Sequence, residues 1–130
     1  MGKVKSKYLL DTVILIDHLA GRLEATRWLQ ELKVEGTGFI SVVTRAETLA
    51  GGDPARRDFV INLLDEWPCL PINMEVADLA ATLRREHRWK LPDAFQAALA
   101  QHHGLYLATR NTRDFPEEKF DFVKTPYRVP

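Results

Sequence analysis

Tyr8-Leu-Leu-Asp-Thr-Val-Ile-Leu-Ile-Asp-His-Leu19 changes character at a single residue. Tyr8 to Leu10 is an apolar run too short for a helix and reads as a strand. Asp11 and Thr12 are helix-capping types, and Val13 to Leu19 follow as a short helix that ends near Gly21. The same alternation runs outward from here. Leu23 to Lys33 is expected as a helix with Leu23, Trp28, Leu29 and Leu32 on its buried side. Gly36 to Gly38 turn into a strand around Phe39-Ile40, and Ser41 caps a helix over Val42 to Leu49. Gly51-Gly-Asp-Pro54 stops that helix and starts the next, with Asp53 as N-cap and Pro54 in the first helical position, running to about Trp67.

Cys69 to Ile72 reads as a third strand, and Met74 to about Trp89 as a long helix on which Val76, Leu79, Ala80 and Leu83 recur at helical spacing. Lys90-Leu91-Pro92 is expected as a loop, with Pro92 opening a helix to His103 that Gly104 closes. Leu105 to Ala108 is the fourth strand. Phe122-Val123 is a fifth at the sheet edge, where Pro126 and Pro130 follow. Short strands alternating with amphipathic helices predict one α/β domain with a parallel sheet.

Bulk properties bound the function. At 130 residues, with 45% hydrophobic and 28% charged residues, the chain suits a single globular domain. Its formal net charge is zero, so no overall basic field announces a general nucleic-acid binder, and any nucleic acid must be held locally. The lone Cys69 excludes a disulfide framework within the chain and suits a reducing cytosol. The run from Tyr8 to Leu19 is broken by Asp11, Asp17 and His18, so neither a signal peptide nor a membrane span is expected. Met1-Gly-Lys-Val-Lys-Ser6 matches the loose N-myristoylation pattern, against which its lysines read as simply solubilising.

In an open parallel sheet, ligands bind beyond the carboxyl ends of the strands. Asp11 follows strand one and Asp114 follows strand four. Asp93 lies in the first turn of a helix, and Glu47 about two turns past strand two among Val43, Ala46, Leu49 and Ala50, which suggests that it points inward. Carboxylates gathered in this way repel one another unless a cation is present, and an all-oxygen donor set is what Mg²⁺ or Mn²⁺ prefers. Each acid has an ordinary alternative. Asp11 can serve as a cap, Glu47 as a solvated helix residue, Asp93 as a partner of the helix dipole and Asp114 as a turn residue before Phe115-Pro116. What raises the set above its members is that each acid belongs to a different strand or helix start.

Four segments carry a resemblance. Lys7-Tyr-Leu-Leu-Asp-Thr-Val-Ile-Leu-Ile-Asp17, Ile40-Ser-Val-Val-Thr-Arg-Ala-Glu-Thr-Leu-Ala-Gly51, Leu91-Pro-Asp-Ala-Phe-Gln-Ala-Ala98 and Ala108-Thr-Arg-Asn-Thr-Arg-Asp-Phe-Pro116 resemble, in order, the motifs of PIN domains, in particular the VapC-type toxin ribonucleases of prokaryotic toxin–antitoxin modules. The resemblance implies a three-layer α/β/α fold whose five-stranded parallel sheet has the order 3-2-1-4-5. It implies that Asp11, Glu47, Asp93 and Asp114 are a catalytic quartet binding Mg²⁺ or Mn²⁺, supported by Thr12, Thr109 and Asn111. One departure is Val13, where many relatives carry Asn or Ser.

The implied activity is endonucleolytic hydrolysis of RNA, leaving a 5′-phosphate and a 3′-hydroxyl. Water bound to the metal would attack, and one carboxylate would orient or deprotonate it. Arg45, Arg110 and Arg113 flank the acids and are candidates to hold phosphates. Arg84, Arg85, His87, Arg88 and Lys90 form a basic stretch toward Asp93 that is otherwise a solvated helix end, and His102-His103 suits a helix C-terminus. A haloacid-dehalogenase-like phosphatase wants an acid where Val13 stands, and a receiver domain fits no better. A PIN-like module that binds RNA without cutting it leaves the intact quartet unexplained. The resemblance also implies a VapB-like antitoxin partner and a homodimer. Leu19, Leu23, Trp28, Leu29, Phe59, Leu63, Leu64 and Trp67 are either all core or in part a groove for an antitoxin helix.

Overall fold

The computed structural model describes residues 5–129; the first four residues of the Met1-to-Ser6 pattern lie outside them. The elements run β1 (Tyr8–Leu10), α1 (Thr12–Leu19), α2 (Leu23–Glu35), β2 (Gly38–Ser41), α3 (Val42–Gly51), a 3-10 turn (Pro54–Arg56), α4 (Arg57–Leu64), β3 (Cys69–Leu70), α5 (Met74–His87), α6 (Leu91–His103), β4 (Tyr106–Ala108) and β5 (Val123–Lys124). The sheet has the order β3-β2-β1-β4-β5, with every pair parallel. Tyr8 pairs with Gly38 on one side and Tyr106 on the other, so β1 is central and β2 and β4 flank it in matched register.

Successive residues of β1 face opposite layers. Leu9 joins a core with Val76, Ala80, Leu83, Ala97 and Leu107 under α5 and α6, while Leu10 joins Ile14, Leu15, Leu29, Ile40, Leu64 and Trp67 under α1, α2 and α4. In the second core, a Cβ added at Gly38 would stand 2.6 Å from the Trp67 ring, so β2 begins with the residue type that lets this indole lie against the sheet.

Several boundaries differ from expectation for local reasons. The expected fourth helix opens with the 3-10 turn capped by Asp53, whose carboxylate accepts from Ala55 N. It closes at Leu64, while Glu66 N and Trp67 N still bond carbonyls three residues back, so the apolar periodicity outlasts the helix. Pro71 has no N–H to offer a neighbour, and β3 stops at Leu70 instead of reaching Ile72. Leu91, expected in a loop because a proline follows, is the first helical residue. Lys90 is the N-cap, Ala94 N bonds Lys90 O, and Pro92 is therefore second, not first. Leu23 is 60% exposed, contrary to its assignment to the buried side of α2, which is lined by Ala25, Leu29 and Leu32. Among the described residues no helix is long and apolar enough to cross a membrane.

Candidate active site

The carboxyl ends of β1, β2 and β4 meet the N-termini of α1, α3 and α6, and the acids are presented there. Asp11 N donates to Ala108 O at 2.9 Å, which prolongs the β1–β4 ladder and fixes the residue at the sheet edge as α1 begins. Its side chain is buried and held from three directions. Oδ1 accepts from Thr12 N at 2.9 Å and from Gln96 Nε2 at 3.4 Å, and Oδ2 accepts from Thr109 Oγ1 at 2.6 Å. Of the roughly four acceptor sites a carboxylate has, one remains free.

Thr109 also receives Asn111 N on its hydroxyl, at 3.0 Å. Asn111 in turn donates from Nδ2 to Asp114 Oδ2 at 3.0 Å, and its Oδ1 accepts from Asp114 N. Trp89 Nε1 donates to Asp114 O, anchoring this loop to the segment that leads into α6. The expected supports thus each hold one acid: Thr109 holds Asp11 and Asn111 holds Asp114, while Thr12 donates to Glu47 Oε1 at 2.7 Å. Glu47 is an exposed residue and does not owe its orientation to apolar neighbours, since Ala46 and Ala50 are exposed too. The Thr12 hydroxyl aims it.

Two partners of the site went unnoticed in the sequence. Gln96 is 1% exposed and lies three residues beyond Asp93 on α6. Ser41 Oγ donates to its Oε1 at 2.7 Å, its Nε2 donates to Thr44 Oγ1 at 2.7 Å, and Thr44 Oγ1 lies 3.0 Å from Thr12 Oγ1. With Thr12 donating to Glu47, Thr44 donates to Thr12, and the bonds run in one direction from Ser41 to the carboxylate. The signal was a lone amide within Ala94-Phe-Gln-Ala-Ala-Leu-Ala100. Asp17, on the buried face of α1, is the other. It accepts Arg110 Nε at 2.6 Å, Arg110 Nη2 at 2.9 Å and Tyr127 Oη at 2.7 Å, with Arg22 at 3.5 Å.

Electrostatics separate the acids by environment. Burial pushes the Asp11 carboxyl above the usual range, against the opposing hydrogen bonds of Thr109, Thr12 and Gln96 and with added repulsion from Glu47. Asp93, half-buried, is pushed up to about 6, first by burial and then by the charges of Asp11, Asp114 and Glu47. Asp17 moves the other way, held low chiefly by the hydrogen bonds from Arg110. Among the described residues no three His, Cys, Asp or Glu side chains stand close enough to enclose an ion. The four acids are near enough to repel and too far apart to form a cage.

The candidate phosphate-holding arginines fare differently. Arg45 pairs with Asp65 at 2.8 Å and Arg110 is engaged by Asp17. Arg113 is exposed and meets no carboxylate among the described residues.

The PIN domain family model matches residues 8–120, which span all four acids. The chain belongs to the PIN domain family. Among PIN proteins, it is 37% identical to Ribonuclease VapC10 of Mycobacterium tuberculosis over 127 residues, 94% of either chain. Of solved structures, a toxin–antitoxin complex from Klebsiella pneumoniae superposes with a TM-score of 0.81 at 35% identity, covering 95% of this chain and all of that one. FitAcB from Neisseria gonorrhoeae superposes at 0.76 over 94% of this chain and 99% of its own, and at 24% identity speaks for the PIN fold alone.

Proposed function

We propose that this protein is a Mg²⁺- or Mn²⁺-dependent endoribonuclease, the toxin of a type II toxin–antitoxin pair that acts on RNA in the cytosol as a homodimer. The observation that carries the reading is Asp93, a carboxylate in a half-buried site surrounded by Asp11, Asp114 and Glu47 at the sheet's carboxyl edge. No hydrophobic or hydrogen-bonding need of the fold requires four like charges there, and their repulsion is relieved only by a cation or by protons. The named relatives, a ribonuclease and a toxin–antitoxin complex, support the same assignment.

Asp11 and Asp93 are the proposed metal-holding pair, with Glu47 and Asp114 completing the catalytic set. When bound, a divalent cation neutralises charge on the scissile phosphate and lowers the pKa of water. The chain's own groups do the positioning. Thr109, Gln96 and the α1 N-terminus fix Asp11 and leave it one acceptor site, and Asn111 fixes Asp114. Asp114, the acid held by Asn111, is the group placed to accept a proton from the attacking water.

The antitoxin is proposed to lie beside the acids. Leu29, Leu64 and Trp67 are core, but Ile16 is 50% and Phe59 57% exposed. A cavity of about 260 Å³ lined by Ile16, Leu19, Val60 and Arg56 opens onto Glu47. An amphipathic helix lying there could send a basic side chain to the quartet.

The test is cleavage of end-labelled RNA by purified protein with Mg²⁺, with Mn²⁺ and with EDTA, alongside Asp93→Asn. Cutting that persists in EDTA, or in Asp93→Asn, would overturn the assignment.

A further inference from the structure

A second cavity of about 260 Å³ borders Asp114 and is lined by Glu86, His87, Arg88, Trp89, Arg113 and Lys119 among others. Arg88, Arg113 and Lys119 form no ion pair among the described residues. Three cations without carboxylate partners therefore share one hollow, in a chain whose net charge is zero. Of the two acids lining it, Glu86 faces His87 at 3.9 Å and Asp114 belongs to the quartet.

The backbone at this hollow is held in an unfavourable conformation. Arg88 caps α5 at φ 60°, ψ 27°, and is the one non-glycine residue with positive φ among the described residues. Helix ends of this shape ordinarily take glycine, as α2 and α6 do with Gly36 and Gly104. An arginine at such a position carries a backbone strain that glycine would avoid. The segment is also fastened to the acid loop: Arg84 Nη1 donates to Trp89 O and Trp89 Nε1 to Asp114 O.

We infer that this hollow is a subsite for the sugar–phosphate backbone of single-stranded RNA, receiving the phosphate adjacent to the scissile one. The inference rests on the ribonuclease reading and gives the strand a direction, from the quartet across Asp114 onto Arg113, Arg88 and Lys119. A base is a poorer occupant. The Trp89 indole is buried, stacked at 4.3 Å on His87 and packed against Phe115, and offers no open face. The volume is below the roughly 300–1,000 Å³ of pockets that enclose whole ligands.

Binding is read separately from cutting by the anisotropy of a labelled single-stranded RNA on Asp93→Asn protein without metal, across a salt series. Arg113→Gln and Arg88→Gly, each added to that background, are expected to weaken binding about threefold to tenfold and to flatten the log affinity against log salt slope by about 0.7 per lost phosphate contact. In the active protein the same changes should raise KM and leave kcat nearly unchanged. Arg88→Gly should melt at or above the parent temperature, because glycine relieves the backbone. Unchanged affinity and salt slope in both variants, or a lower melting temperature for Arg88→Gly with normal binding by Arg113→Gln, would overturn the subsite. Protein that cuts no RNA yet loses binding in both variants keeps the subsite and loses the ribonuclease reading. Normal cutting with unaltered binding does the reverse.

Discussion

Arg110 grips both oxygens of Asp17, at 2.6 and 2.9 Å, and so ties the loop after β4 to the helix that Asp11 opens. Arg110 stands between Thr109 and Asn111, the two residues that hold Asp11 and Asp114. The ion pair is therefore the brace between the two halves of the acid set, and Tyr127 adds the C-terminal segment to it. Because Asp17 is 3% exposed, Asp17→Ala leaves a guanidinium and a phenol without their acceptor and should cost about 2–4 kcal/mol. Tyr127→Phe, which removes one hydrogen bond to a charged group, should cost about 1–2 kcal/mol. Urea unfolding of both variants measures this, and equal losses would mean that Arg110 adds nothing.

The pH dependence of metal-free stability has a definite sign. Asp93 is pushed to about 6, above the roughly 3.9 of an unfolded aspartate, so between those values the folded chain binds more protons than the unfolded one. Its contribution is present below that window and is lost as pH rises through it, and Asp11, also raised, acts in the same sense. Asp17 works oppositely: its contribution is present above the ordinary carboxylate range and is lost only as pH falls below it. Melting temperature in EDTA should therefore fall from about pH 4.5 to pH 7. Asp93→Asn should flatten the curve and melt at least as high as wild type at pH 7.

Gln96→Leu keeps the volume and removes both ends of the amide. Ser41 Oγ then loses its acceptor and Thr44 Oγ1 loses the amide that donates to it, at a cost of about 1–3 kcal/mol. Asp11 loses one of its three supports, so the variant should also require more Mn²⁺ for half-maximal RNA cleavage. Loss of stability with an unchanged metal requirement would show that Gln96 serves packing alone.

Inhibition by the cognate antitoxin should weaken as Mg²⁺ rises, since the groove lined by Ile16 and Leu19 delivers its occupant to Glu47 and thus to the metal-holding acids. Titrating the co-purified pair with Mg²⁺ while following cleavage measures it. Inhibition indifferent to Mg²⁺ would mean that the partner blocks RNA access instead.

The succession of strands and helices was legible because short apolar runs and capping residues are local signals, as were the acids that follow β1 and β4, while the sheet order came only with the resemblance to PIN domains. Gly104 ended its helix as expected, while α2 ran on past Lys33 to Glu35 and Gly36 capped it. What escaped was decided by contacts far apart in the chain. Arg110 looked like a phosphate ligand because it flanks an acidic motif, and only the fold brings Asp17, 93 residues away, against it. Gln96 was hidden because an amide has no periodic signature, and its partners Ser41 and Thr44 lie 55 and 52 residues off. Leu23 was misplaced because helical spacing marks a stripe without saying how much of it the neighbours cover.

The one-way run of hydrogen bonds from Ser41 through Gln96, Thr44 and Thr12 to Glu47 has a consequence for descent. Each member before Glu47 both accepts and donates a hydrogen bond, so none can be exchanged for an apolar residue without stranding the next. Positions 41, 44 and 96 should therefore drift together among relatives, and a lineage that has lost its acids and its trade should keep this run of hydroxyls and amide for as long as it keeps the fold.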